Sequence, residues 1–146
     1  MKRTVLFAST ALATAALTAT SVARSGGDGA SARTPTVTGV EWRAHSVTVD
    51  GDTVIVPKGS RAGLRFAADR RTVTGHDGCN SFSGGAKMKA DRSAVTFGGE
   101  YESTAMACYP PDHVDVVPPV GTYGVMVTGR TLTLTGPDGR VLVFER

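Results

Sequence analysis

The C-terminal stretch YGVMVTGRTLTLTGPDGRVLVFE, residues 123–145, alternates apolar and polar side chains and is interrupted only at two glycine-containing turns. A period of two places every second side chain on one face of a β-strand. Val125 and Val127 therefore share a face, as do Leu132 and Leu134. This pattern predicts three consecutive short strands, and it most constrains what the chain can fold into.

The same period of two continues upstream. SVTVDGDTVIV, residues 46–56, predicts a hairpin around Asp50-Gly51-Asp52. Four further short strands are predicted on either side of two polar turns: GLRF and TVTG around AADRR, and AKMK and AVTF around ADRS.

No window of ten residues or more indicates an amphipathic helix. The pairs Pro110-Pro111 and Pro118-Pro119 bracket DHVDVV and leave room for at most one helical turn. About eight short strands predict an all-β, mainly antiparallel fold, either a small curled sheet or a barrel, because closure protects the sheet edges. The large apolar side chains expected in its core are Trp42, Phe66, Phe82, Phe97 and Phe144.

The chain of 146 residues divides into three parts. Residues 1–23 have a basic start, an apolar middle and a small-residue ending, which indicates a cleaved export signal. A retained membrane anchor is the alternative, although five threonines and two serines dilute the apolar stretch. Residues 24–35 are small and polar, as in a flexible linker, and residues 36–146 form the predicted β domain.

Charge and cysteine usage narrow the location and the partners. Cleavage removes Lys2 and Arg3 and leaves a net charge of +1, which predicts no nucleic-acid partner and no stable membrane insertion. No cysteine precedes Cys79, so a lipid anchor is not expected. We expect a monomer that is secreted or held in the cell envelope.

Three roles are open to the two cysteines, Cys79 and Cys108. An even cysteine count in an exported chain favours a disulfide, and a loop of 29 positions gives such a bond roughly 3.5 kcal/mol of stabilisation. With His76 and His113 the two sulfurs supply the donors of a zinc site, at a spacing that is not diagnostic. A catalytic thiol beside His76 is the third alternative.

Other catalytic and metal templates do not match the chain: GxSxG, HExxH and a phosphate-binding Walker loop are absent from the sequence. Asp77 and Asp138 stand among turn-forming residues, where backbone capping is the expected role. Glu100 and Glu102 share a face if their segment is a strand, and a solvated rim is the favoured interpretation. The sequence predicts no catalytic residue, no metal site and no cofactor.

Residues 73–108, VTGHDGCNSFSGGAKMKADRSAVTFGGEYESTAMAC, resemble the META domain, the HslJ-like family of small bacterial envelope proteins. That family shows G-x-x-GCN-x-[FY]-x-G, then a hairpin, then S-T-x-M-x-C. The matching residues of this chain are Gly75, Gly78, Cys79, Asn80, Phe82, Gly84, Ser103, Thr104, Met106 and Cys108. The four glycines of residues 75–85 are expected to permit positive φ, Asn80 to hold the turn, and Phe82 and Met106 to be buried.

The resemblance implies a lipocalin-like β domain in which Cys79 lies near Cys108, and it implies no enzyme. Family members are linked to heat-shock response, antibiotic tolerance or envelope maintenance. One departure follows Cys108, where YPPDHVDVVPPVGTYG replaces the family's usual helix. We therefore expect that helix to be lost or reduced to one turn, leaving a groove or a weak edge.

These observations predict an exported, non-enzymatic, disulfide-stabilised domain that serves envelope stress tolerance by binding an unknown protein or small molecule. One alternative is a small-molecule binder that uses the interior of a lipocalin-like barrel. Another is a secreted inhibitor of an extracellular enzyme that presents the proline-rich loop 109–119 as a rigid tip.

Overall fold

The computed structural model describes residues 36–109 and 114–146, and in them it contains nine β-strands and no helix. The strands are β1 (Trp42–Val49), β2 (Asp52–Ile55), β3 (Gly63–Phe66), β4 (Thr72–His76), β5 (Ser81–Met88), β6 (Ala94–Ser103), β7 (Gly121–Thr128), β8 (Thr131–Thr135) and β9 (Val141–Glu145). Each strand pairs antiparallel with its neighbours in the order β2-β1-β3-β4-β5-β6-β7-β8-β9.

A further pairing between β1 and β9 closes the sheet. Eight strands, β1 and β3 to β9, therefore form a closed antiparallel barrel, and β2 is an additional strand on β1. The predicted all-β barrel of about eight short strands is confirmed. The strands that the alternating patterns predicted are also present, with β7, β8 and β9 in an unbroken register.

Strand β1 changes partner along its length on one edge. Its first residues, Trp42 and Arg43, pair with β3, whereas Ser46 to Val49 pair with β2. The predicted hairpin turn lies at Asp50 and Gly51, whose φ angles are 53° and 90°. Two successive positive φ values are the geometry that an Asp-Gly turn favours in a two-residue hairpin.

Side chains fill the barrel interior. The five predicted core aromatics are all between 0 and 4 % exposed. Phe97 meets Tyr123 edge to face, with ring centroids 5.2 Å apart, and the Trp42 indole Nε1 donates to the Val37 carbonyl at 2.9 Å. Alternation along each strand directs these apolar groups inward, so packing of large rings occupies the interior.

The segment after Cys108 covers part of the barrel without a helix in its described residues. Val114 and Val116 are buried, and the Val114 amide donates to the Asp77 carbonyl at 2.8 Å. The Tyr101 hydroxyl donates to the Pro118 carbonyl at 2.8 Å. Irregular chain, described from residue 114, therefore packs on the barrel where the family's usual helix was expected to be lost.

The predicted signal, residues 1–23, and linker, residues 24–35, lie outside the described residues. The predicted domain from residue 36 contains every strand named above. Within the described part of the chain, no helix has the length and apolar character needed to span a membrane.

Candidate functional site

Cys79 and Cys108 form a disulfide, with their Cα atoms 5.8 Å apart. The bond joins the turn between β4 and β5 to the chain that leaves β6. Both sulfurs are consumed, so neither is a thiolate nucleophile or a zinc ligand in this structure. Among the residues described, no cluster of three histidine, cysteine, aspartate or glutamate side chains is arranged to hold a metal ion, and His113 lies outside them.

Asp77 organises the turn that carries Cys79. Its Oδ1 accepts from the amides of Cys79, at 2.8 Å, and Asn80, at 2.5 Å. The side chain is buried, and its own amide donates to the Asn80 carbonyl at 2.9 Å. An aspartate that accepts from amides two and three residues ahead closes a tight turn, which is the capping role expected for this residue.

Asn80 connects this turn to the chain after β6. Its Oδ1 accepts from the Met106 amide at 2.8 Å and from the Thr104 hydroxyl at 3.0 Å. Its Nδ2 donates to the Met106 carbonyl at 3.4 Å and lies 3.0 Å from the Cys108 Sγ. The side-chain amide of Asn80 thus provides the hydrogen bonds between these two segments after β6 has ended.

Two expectations for the motif were wrong. Only Gly78 of its glycines has a positive φ, 102°. Gly75 and Gly84 lie within β4 and β5, where a Cβ would stand 2.3 Å from Phe82 Cζ and 2.4 Å from Tyr101 Cδ1 respectively. These two glycines therefore give room to aromatic rings, and Phe82 and Tyr101 in turn pack edge to face at 5.7 Å.

Met106 was expected to be buried, but its side chain is 59 % exposed, whereas Phe82 is 4 % exposed. The reason is local: both backbone groups of Met106 bond to the Asn80 amide, in a segment that no longer pairs as a strand. Ser103 ends β6 opposite Phe82, and Thr104 accepts from the Ser81 amide at 3.1 Å.

Tyr101 is half-buried beside this motif. Burial, with a smaller contribution from the neighbouring Tyr123, raises the pKa of Tyr101 to about 12. Its hydroxyl is therefore protonated at neutral pH and donates to Pro118, as described above.

A groove of about 1000 Å³ crosses β3, β4, β5 and the end of β6. Residues that pair across neighbouring strands line this groove in two rows. The first row is Arg43, Gly63, His76 and Ser81, and the second is Arg65, Thr74, Ser83 and Glu102. Between them runs the row of Trp42, Leu64, Gly75 and Phe82, which belongs to the interior. Since side chains alternate across a strand, the two polar rows face outward, and the groove lies on the outer surface of the barrel.

The groove carries both signs of charge. Arg43, Arg61 and Arg65 line it together with Glu41 and Glu102. Among residues 36–109 and 114–146, no ion pair engages Arg43 or Arg65. Two exposed guanidinium groups are thus presented on rigid strands, which is the arrangement that binds planar acceptors on a ligand.

Sequence reasoning did not single out these arginines. The alternation signal was present, because Arg43 follows Trp42 and Arg65 follows Leu64. Which outward residues become neighbours depends on strand order and register, and short strands with polar turns do not specify either one.

Comparison with protein families decides the relationship. The family model for the META domain matches residues 35–146. This chain belongs to the META domain family. A search of curated proteins gave no match.

Two solved structures are similar to this META domain, both determined by NMR. The first, a protein from Burkholderia xenovorans, has a TM-score of 0.55 and 22 % identity, over 75 % of this chain and 83 % of its own. The second has a TM-score of 0.47 and 22 % identity, over 72 % of this chain and 86 % of its own. The first likeness supports the fold of this META domain.

Proposed function

We propose that this protein is an exported, non-enzymatic META domain that serves envelope stress tolerance by binding a partner through the outer groove of β3 to β6. The observation that carries the proposal is the groove itself, where exposed Arg43 and Arg65 stand on strands that a disulfide and buried aromatics hold rigid. Rigid placement of polar groups reduces the entropy lost on binding.

Export is supported by the disulfide, because such bonds persist in oxidising compartments, and by the composition of residues 1–23. Mass spectrometry of the protein recovered outside the cytoplasm tests it. We expect a chain that begins near Arg24, with a mass two hydrogens below that of the reduced form. Recovery of intact Met1 contradicts cleavage.

A non-enzymatic role is supported by the use of the motif side chains. Asp77 and Asn80 bond to backbone groups of the turn and of the chain after β6, and both sulfurs are in the disulfide. Each of these groups stabilises the fold through a hydrogen bond or the disulfide, and the outer groove is therefore the surface that we assign to a ligand.

The two alternatives receive different support. An interior ligand would compete with Trp42, Phe66 and Phe97, which already fill the barrel. An inhibitory loop is favoured by the exposure of Tyr109, at 75 %. However, Val114 and Val116 anchor the following segment in the core, so the described part of that loop does not project as a tip.

Capture by matched variants tests the groove. The protein and its variants Arg65→Glu and Arg71→Glu are immobilised and exposed to the exported fraction of stressed cells. Both arginines are exposed, but only Arg65 lines the groove. We expect Arg71→Glu to capture the partner and Arg65→Glu to lose it. We also expect Arg65→Glu to fail to restore survival under stress to cells that lack the protein. Equal capture by both variants contradicts the proposal.

A further inference from the structure

We propose that His76 and Arg61 form a carboxylate-binding subsite in the outer groove. This inference rests on the proposed function and names the chemistry of the group that the groove accepts. Both residues line the groove, and the Arg61 Nη2 lies 2.8 Å from the His76 Nε2.

The backbone fixes the tautomer of His76. The Gly78 amide donates to the His76 Nδ1 at 3.0 Å. A backbone N–H is only a donor, so Nδ1 carries a lone pair and the ring proton resides on Nε2. Gly78 is held in this position by the turn that Asp77 and the disulfide organise, and its positive φ of 102° suits glycine.

The Nε2–H of His76 therefore faces a second donor. A guanidinium group has five N–H donors and no acceptor, so the 2.8 Å approach of Arg61 to Nε2 is not a hydrogen bond between these two groups. Both N–H groups can donate to an acceptor at the same place. One carboxylate satisfies them together, because each of its oxygens accepts from one donor and the pair is charge-assisted.

The surroundings of the subsite admit such a ligand. Arg43 and Ser81 stand in the same cross-strand row as His76, and Gly63 lies between Arg43 and His76 without a side chain. A Cβ at Gly63 would stand 2.4 Å from the Trp42 carbonyl oxygen, so only glycine fits at this position. No side chain therefore stands between Arg43 and His76 in this row.

The charge of the groove favours a carboxylate over a phosphate. Its three arginines are opposed by Glu41 and Glu102, which leaves one excess positive charge among these five side chains. A singly charged carboxylate balances this excess, whereas a phosphate dianion would exceed it by one negative charge.

Nitrogen-resolved NMR of the purified protein at pH 8 tests the proposal. The ¹⁵N shifts of the His76 ring report the tautomer directly, and we expect the proton on Nε2. Titration with sodium acetate should shift the His76 Nε2 and the Gly78 amide with a saturable curve. Equal concentrations of sodium chloride should not, and sodium phosphate should bind more weakly than acetate.

Two variants make the test specific. Arg61→Gln removes the second donor and should weaken acetate binding by at least about tenfold, the loss expected for a charge-assisted bond. Arg71→Gln removes an equally exposed arginine outside the groove and should change the affinity by less than about twofold. A glutamate peptide blocked at both ends and a peptide with a free C-terminus then distinguish a side-chain carboxylate from a terminal one.

A proton on Nδ1 would overturn the proposal, because Nε2 would then accept from Arg61 and no anion would be needed. Absence of acetate-dependent shifts, or a preference for phosphate, would also overturn it. These outcomes are separate from those of the proposed function. A partner that is captured equally by the protein and by Arg61→Gln refutes the carboxylate subsite and leaves groove binding intact. Equal capture of the partner by Arg65→Glu and Arg71→Glu refutes the proposed function, even if acetate binds.

Discussion

The meander of β7 to β9 and the motif half of β3 to β6 are both antiparallel, but they are built differently. The meander keeps one register throughout, with a tight turn between β7 and β8 and inward Leu132 and Leu134 fully buried. The motif half has a register shift between Ser83 and Gly85, glycines that lie directly against aromatic rings, and a disulfide at its end. Regular alternation is sufficient to fold the first, whereas the second depends on particular side chains.

The irregularity of the motif half has a functional consequence. Gly75 and Gly84 leave room for the rings of Phe82 and Tyr101, which pack edge to face, and the turn of Asp77 places the Gly78 amide against the His76 ring. The same departures from a regular sheet therefore fill the core and form the groove.

The largest expected effect comes from removal of the disulfide, which the meander does not share. The double variant C79S/C108S should be less stable by roughly 3.5 kcal/mol, because the unfolded chain regains the freedom of the closed loop. Guanidinium unfolding under non-reducing conditions measures it, with the reduced wild-type protein as the control. A loss below about 1 kcal/mol would remove the distinction between the two halves.

Matched glycine substitutions test the second difference. Gly75→Ala should cost about 1–3 kcal/mol, because its Cβ would overlap the Phe82 ring and the Gly63 carbonyl oxygen. In the meander, the nearest atom to a Cβ at Gly124 is 3.9 Å away, so Gly124→Ala should change stability by less than about 1 kcal/mol. Thermal unfolding of the two variants side by side provides the measurement, and equal costs would be inconsistent with close packing over Gly75.

A smaller effect is expected at Tyr101, which joins the motif half to the segment after Cys108. Tyr101→Phe should cost about 1 kcal/mol at neutral pH through loss of the bond to Pro118. Because its folded pKa of about 12 exceeds its ordinary value of 10, Tyr101 contributes stability that is complete below pH 10 and is lost as pH rises towards 12.

Unfolding curves at pH 8 and pH 11.5 separate this contribution from others. Burial also raises the pKa of Tyr123, and that residue remains in the variant. The wild-type protein should therefore lose more stability than Tyr101→Phe between the two pH values. An identical decline in both proteins would show that the Tyr101 pKa is not raised in solution.

The sequence predicted the two halves to different degrees, for physical reasons. Val125 with Val127 and Leu132 with Leu134 were placed on shared faces correctly, because strand periodicity is a local property. The glycines at 75 and 84 were expected to permit positive φ, because their packing against Phe82 and Tyr101 is a contact between strands that the local sequence does not show. Met106 was expected to be buried because an apolar residue in a motif favours the core, whereas bonds to Asn80 direct it outward.

The groove was also beyond local pattern reading. His76 was considered only as a zinc ligand or as a base beside Cys79, and Arg61 precedes β3 in a segment without periodicity. Their proximity follows from the pairing of Gly63 with His76, which joins residues 13 positions apart. Register of this kind is set by the whole barrel.

The central claim is that the motif half depends on the disulfide and on the side-chain hydrogen bonds of Asp77 and Asn80, which together form one corner of the barrel. Amide hydrogen exchange in C79S/C108S, measured residue by residue against the wild-type protein, tests this claim. The amides of Asn80 and Val114, which donate at that corner, should lose more protection than those of Leu132 and Leu134 in the meander. The meander amides should lose only what the whole domain loses. Equal loss of protection at all four amides would contradict this account.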